Sequence, residues 1–364
     1  MRNFVRMGFE RVAHLQKVDQ IPISLLAAGD FIIYFSKLTN QIDYWGKDYK
    51  KKFLAQIKLV KAFPEILFLP GIWPDFNYTI EASALGCKII FCENAPPKIE
   101  STLKRFEDIE HLEIPDPHKD GLMPLALEAY QYMIDNLPID LKNNYGYLDG
   151  LAVAMGPTDL ASLIAGYERF FSNFYKNPDL IHHLMKITTQ TIIEWIEAQC
   201  DVTGGKRLII LFEDSISFVS KEQYLKFCNP YLKEIFEKFA SNDIIILLHS
   251  CANITHILSE LCKLPINILH YGPDVATSRV KSALKDKICI MGGLSPYEEI
   301  VKGKPNDVIQ ACKRVIKEGG YDGIFILSIS GSIPAGTPIE NIQAMIEASK
   351  LYGKYNYNNH KSFN

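Results

Sequence analysis

One feature constrains this chain more than any other. Short, nearly unbroken Ile/Leu/Val runs alternate with longer amphipathic stretches along almost its whole length. Runs with no polar alternation suit strands covered on both faces, as in parallel sheets. Eight such runs read as strands: IPISLLA from Ile21, ILFLPGI from Ile66, YLDGLAVAM from Tyr147, RLIILFE from Arg207, DIIILLHS from Asp243, INILHYG from Ile266, KICIMGG from Lys287 and GIFILSIS from Gly323. A ninth, KIIFCE from Lys88, is assigned to an excursion between the second and third strands. Stretches of helical period fill the gaps, among them KDYKKKFLAQIKLVKAF, NPDLIHHLMKITTQTIIEWIEAQC, KEQYLKFCNPYLKEIFEKFA and PNDVIQACKRVIKEGG. This alternation predicts an α/β protein with crossover helices. Eight strands predict a single (β/α)8 TIM barrel over residues 1–364, with an N-terminal helical extension. A doubly wound sheet fits less well, because no Gly-rich phosphate turn follows the first strand. The polar close, YGKYNYNNHKSFN, is expected to fray.

Composition narrows the function. A net charge of −3, with acidic and basic residues interleaved, gives no electrostatic reason for a nucleic-acid or membrane partner. The eight cysteines are scattered rather than grouped as a disulfide framework. The start, MRNFVRMGFERVAHLQKVDQ, has no apolar stretch long enough for secretion or spanning, so a reducing cytoplasm is the expected compartment. A homodimer is one assembly open to the chain.

Chemistry in such a barrel gathers at the C-terminal ends of the strands. Those ends carry Glu213-Asp214, His249-Ser250-Cys251, His270-Tyr271, Gly292-Gly293 and Ser328-Ile329-Ser330-Gly331. In LLHSCAN, His249 and Cys251 stand two apart where a strand opens into a loop, so both side chains face the same way. Imidazole plus thiolate suits zinc, although a capping His beside a plain buried Cys would give the same pattern. Trp73, Asp75 and Phe76 after the second strand, and Met155 after the third, are candidate walls of an apolar, aromatic-accepting pocket. His270 is a candidate donor to a substrate oxygen, and Asp214 a candidate for orienting a ligand. His182, His183 and His256 lie in helical stretches and are taken as structural. No nucleophile elbow or catalytic triad is evident.

Several segments, in order, carry a family likeness: RVAHLQKVDQIP, ALGCKIIFCENAPP, FEDIEHLEIPDPHKDG, GPTDLASLIAGYERFFSNFYKNPDLIHHLM, FEDSISFVSKEQYLKFCNPYLKEI, LLHSCANIT, MGGLSPYEEIVKGKPNDV and SGSIPAGTPIENIQAMIEASKLYGKY. The chain resembles the uroporphyrinogen decarboxylase superfamily from near Gly8 to Tyr355. The decarboxylases carry an arginine-bearing N-terminal signature that holds substrate carboxylates, whereas PISLLAAGDFIIYF has no arginine. The resemblance therefore points to the cobalamin-dependent methyltransferase branch, whose zinc is held by a His-x-Cys pair like His249 and Cys251. That branch takes a third ligand from a Cys after the last strand, where this chain has Gly331. Ether-cleaving methyltransferases of acetogens, which the chain also resembles, have a Glu-x14-Glu-x20-His pattern that falls on Glu213, Cys228 and His249. The resemblance thus implies zinc held by Glu213, Cys228, His249 and Cys251, with Cys228 mattering more than Cys251. It assigns catalysis to His249 and Glu213, and makes the partner a separate corrinoid protein. The activity implied is transfer of a methyl group from a methoxylated, aromatic donor to cob(I)alamin. A methylcorrinoid:thiol methyltransferase, a decarboxylase and a non-catalytic corrinoid- or porphyrin-binding protein are the alternatives. The chain shows no Asp-x-His-x-x-Gly stretch, so the cobalamin is expected on the partner.

Overall fold

A computed structural model describes residues 3–46, 48–101 and 103–354. Most of the C-terminal segment expected to fray lies outside the described residues. Eight strands form one parallel sheet: β1 (Ile23–Leu26), β2 (Ile66–Leu69), β5 (Leu151–Met155), β6 (Leu208–Phe212), β7 (Ile245–Ser250), β8 (Ile268–Tyr271), β9 (Cys289–Leu294) and β10 (Phe325–Ile329). The ninth apolar run is β3 (Lys88–Ile90), which pairs antiparallel with β4 (Lys98–Glu100) outside the main sheet. Each expected strand is present, and most of their residues are buried, as uniform apolar runs require. The helix Asn3–Ala13 precedes β1. Among the described residues no helix is long and apolar enough to cross a membrane.

The sheet runs β2-β1-β10-β9-β8-β7-β6-β5 and curls with helices outside, consistent with a (β/α)8 barrel. Its seam lies between β2 and β5, where side chains take the place of a backbone ladder. The Phe68 amide of β2 donates to the Tyr147 hydroxyl at 3.1 Å. On β5, the Val153 amide donates to Gln199 Oε1 at 2.9 Å, and the Met155 amide to Glu81 Oε1 at 2.9 Å. Gln199 comes from the long helix Pro178–Thr203 and also accepts from the buried Tyr130 hydroxyl. A buried amide without a partner costs the full desolvation penalty, so these three side chains let the two edges meet without pairing. Gln199→Leu should leave the Val153 amide and the Tyr130 hydroxyl unpaired and destabilise the protein by about 1–3 kcal/mol in urea unfolding.

Candidate metal centre and its cavity

The C-terminal strand ends surround a cavity of about 140 Å³. Its walls come from separate parts of the chain: Leu26 to Ala28 after β1, Trp45, the Pro70–Glu81 loop, Val153 to Met155 of β5, Phe212 of β6, His249, Cys251 and Ser332. Among the described residues, four aromatic side chains, Trp45, Trp73, Tyr78 and Phe212, face it, and no Lys or Arg does. Tyr78 meets Phe212 edge-on at 6.4 Å, and Phe212 meets His249 edge-on at 5.1 Å. Gln56 fixes the Trp73 segment by accepting from its amide at 3.2 Å and donating to its carbonyl at 2.9 Å.

At one side of the mouth, Asp214, His249 and Cys251 bring their ligand atoms within 4.8 Å of one another. The Cys251 thiol donates to Asp214 Oδ2 at 3.1 Å, and the Cys251 amide to Asp214 Oδ1 at 2.7 Å. Burial of the sulfur and then the Asp214 carboxylate push this thiol up to about 12. A bound cation would reverse that shift, since a coordinating thiol is deprotonated. Burial pushes His249 down to about 3, keeping its imidazole neutral and able to act as a ligand. One nitrogen, one sulfur and one carboxylate oxygen form a donor set that fits zinc and leaves a fourth position for water or substrate.

The structure does not bring together the whole ligand set expected from the sequence. Glu213 and Cys228 are not brought to His249. Side chains alternate along a strand, so Phe212 faces the cavity, Glu213 faces the surrounding helices, and Asp214 turns back toward the mouth. Fully buried, Glu213 accepts from the amides of Thr158 and Asp159 at 3.0 and 3.2 Å. Burial, and then Asp159, hold its carboxyl above the usual range. These bonds satisfy free amides at the start of the helix Pro157–Ala165, a structural use of the carboxylate. Cys228 ends a π-helical turn, Tyr224–Cys228, and is fully buried beside Glu213, Asp159 and Thr158, where burial pushes its thiol up. Asp214, taken from sequence as an orienting residue, stands in the ligand group itself.

The cavity walls also differ in part from expectation. Trp73, Asp75 and Met155 line the cavity. Phe76 does not: it is fully buried, with Lys52 Nζ 3.5 Å from its ring centroid. His270 does not face a substrate either, because it is buried behind His249 with the two Nδ1 atoms 2.9 Å apart. Trp45, Tyr78, Phe212 and Glu81 were missed. Phe212 was accessible by counting two back from Asp214, but Trp45 enters from a helix, Gln41–Trp45, that no motif marks. His182 bonds Tyr231 and His256 bonds the Val219 carbonyl, as structural histidines do.

A parallel (β/α) barrel with a candidate metal centre at the C-terminal mouth of its strands is the class of protein defined here. The uroporphyrinogen decarboxylase (URO-D) family model matches residues 6–352, and the chain belongs to that family. Its relatives include both branches. A methylcobamide:CoM methyltransferase of Methanosarcina acetivorans is 28% identical, over 81% of this chain and 83% of that protein. A uroporphyrinogen decarboxylase of Wigglesworthia glossinidia brevipalpis is 24% identical, over 98% of this chain and 99% of that protein. Among solved structures, a methyltransferase from Methanosarcina mazei superposes with a TM-score of 0.78 at 19% identity, covering 96% of this chain and 98% of that one.

Zinc titrated into chelator-stripped protein should saturate near one per chain, as a rough expectation for a single three-donor centre. His249→Ala and Asp214→Ala should each abolish tight binding. Cys228→Ala should leave zinc stoichiometry unchanged while lowering thermal stability. Loss of zinc from Cys228→Ala together with full zinc in Asp214→Ala would restore the sequence-derived set.

Proposed function

We propose that the protein is a zinc-dependent methyltransferase that moves a methyl group from a methoxylated aromatic donor to the reduced corrinoid of a separate protein. The observation that carries this reading is the Asp214–His249–Cys251 cluster opening onto a cavity walled, among the described residues, by four aromatic side chains and no Lys or Arg. Among the described residues, the cavity offers the many carboxylates of a porphyrinogen no Lys or Arg to meet. An uncharged aromatic ring suits Trp45, Trp73, Tyr78 and Phe212, which stack or meet it edge-on. The methylcobamide:CoM methyltransferase relatives support methyl transfer with a corrinoid as the reaction class.

Asp214, His249 and Cys251 would hold the zinc. When bound there, it would supply Lewis acidity to the oxygen that loses the methyl group. The chain's own residues do the positioning. The aromatic walls orient the ring and exclude water, which strengthens every electrostatic contact inside. Phe212 packs against both Tyr78 and His249, linking the aromatic wall to the ligand group. The carboxylate among the donors makes the site harder than a two-thiolate one, favouring an oxygen-bearing donor over a thiol.

The decisive assay supplies a reduced corrinoid protein with methoxyarenes, methanol and methylamines, a methylated corrinoid protein with small thiols, and uroporphyrinogen as a control. Formation of methylcorrinoid with methoxyarenes is the expected result, and Trp73→Ala should raise KM with little change in stability. Methylation of a thiol by methylcorrinoid, with ether donors inert, would replace the ether reading with a thiol one. Robust decarboxylation would overturn both.

A further inference from the structure

His249 has a second imidazole directly behind it. His249 Nδ1 and His270 Nδ1 lie 2.9 Å apart, with the rings tilted at 54°, and both side chains are buried. Two nitrogens that close cannot both carry hydrogens, so one donates and the other accepts. The far side of His270 decides which. Its Nε2 stands 2.8 Å from the Ile329 carbonyl oxygen, and a carbonyl only accepts. Nε2 of His270 therefore carries the hydrogen. The Gly331 amide is also 3.4 Å from that nitrogen. Making Nε2 an acceptor for this longer contact would set its lone pair against the carbonyl at the shorter distance, so the carbonyl contact prevails. A neutral His270 then presents a bare Nδ1, which accepts from His249 Nδ1–H. What remains on His249 is a bare Nε2.

We propose that His270 is a positioning residue that fixes His249 as its Nδ1–H tautomer and so makes Nε2 its metal-binding atom. The chain runs from the Ile329 carbonyl at the end of β10, through His270 on β8, to His249 on β7. It gives the last strand an indirect hold on the metal centre. Gly331 lies just past that carbonyl, in a left-handed conformation at φ 120°, where a built Cβ would sit 3.9 Å from Cys251 Cβ. The turn after β10 thus approaches the cluster without offering a ligand, and its contribution passes through a backbone carbonyl two residues earlier. Outer partners of this kind orient the ring and raise the basicity of the coordinating nitrogen.

The inference rests on the metal reading above, and two measurements separate them. In His270→Phe, which keeps a ring but removes the acceptor, zinc affinity read by competition with a chromophoric chelator should fall roughly 10–100-fold. In His270→Asn, whose amide oxygen can accept from His249 Nδ1–H, most of the affinity should return. Wild-type affinity in a folded His270→Phe protein would overturn the proposal. The second measurement needs no variant: ¹⁵N-histidine spectra of the metal-free full-length protein should show His249 protonated at Nδ1 and bare at Nε2. The opposite tautomer would defeat the relay even where zinc binds. A wild-type protein that takes up no zinc but shows the expected tautomer would defeat the metal reading and leave the hydrogen-bond direction confirmed.

Discussion

The mouth of this barrel depends on a reciprocal clamp between two buried carboxylates. Glu213, at the end of β6, accepts from the amides of Thr158 and Asp159. Asp159 in return accepts from the amides of Asp214 and Ser215 at 2.9 and 2.7 Å. Each turn thereby satisfies the free amides of the other. Burial raises both acids, and their proximity to further carboxylates adds to it. Desolvating two carboxyl groups is unfavourable, and the four amide donors offset it with charge-assisted bonds in a low-dielectric setting. The clamp also demands close packing. A Cβ on Gly156 would run into the Glu213 side chain, from its Cβ to its carboxylate, so only glycine fits between the two turns. With its backbone amide pinned by Asp159, Asp214 is presented to Cys251 and His249 at a defined position.

The cavity inherits a second constraint from the seam between β2 and β5. Glu81 serves both, since it pairs the Met155 amide at the seam and lines the cavity. Burial pushes its carboxyl up to about 7, which favours the uncharged form in an apolar recess. Behind the Trp73 wall, Asp75 accepts from the Tyr44 hydroxyl and from the Asn77 amide, while the fully buried Lys52 offsets its charge. Burial depresses Lys52 and raises Asp75, and their attraction opposes both shifts. Polar groups around the cavity are thus balanced against one another, which leaves the aromatic faces to dominate what a ligand meets.

The fold was almost wholly legible because its signal is repeated. Each Ile/Leu/Val run independently demands burial on both faces, and eight such demands with crossover helices have few solutions. The site was legible only where local geometry suffices. His249 and Cys251 stand two apart at a strand end, so their convergence follows from the period of an extended chain. Glu213 was assigned one residue away from the group that joins them. Spacing borrowed from relatives favoured it, although the same period that joins His249 to Cys251 turns Glu213 away from the mouth and brings Asp214 back. Cys228 ends a π-helical turn just before Asn229-Pro230 and is fully buried beside Glu213, Asp159 and Thr158, a placement that spacing along the chain does not reveal.

By itself, then, the sequence determined the strand count, the order of elements and the end of the barrel where chemistry gathers, since hydrophobic periodicity and chain direction are local properties. The stretch after the first strand carries no arginine, which set the expectation of a cavity poor in cations. Only the tertiary structure decided that Asp214 comes together with His249 and Cys251, that Trp45 and Tyr78 join the walls, and that His270 stands behind His249. Those relations join residues tens of positions apart across neighbouring strands and loops. Their distances are set by sheet register, side-chain parity and the Glu213–Asp159 clamp, which come into being only when the barrel closes.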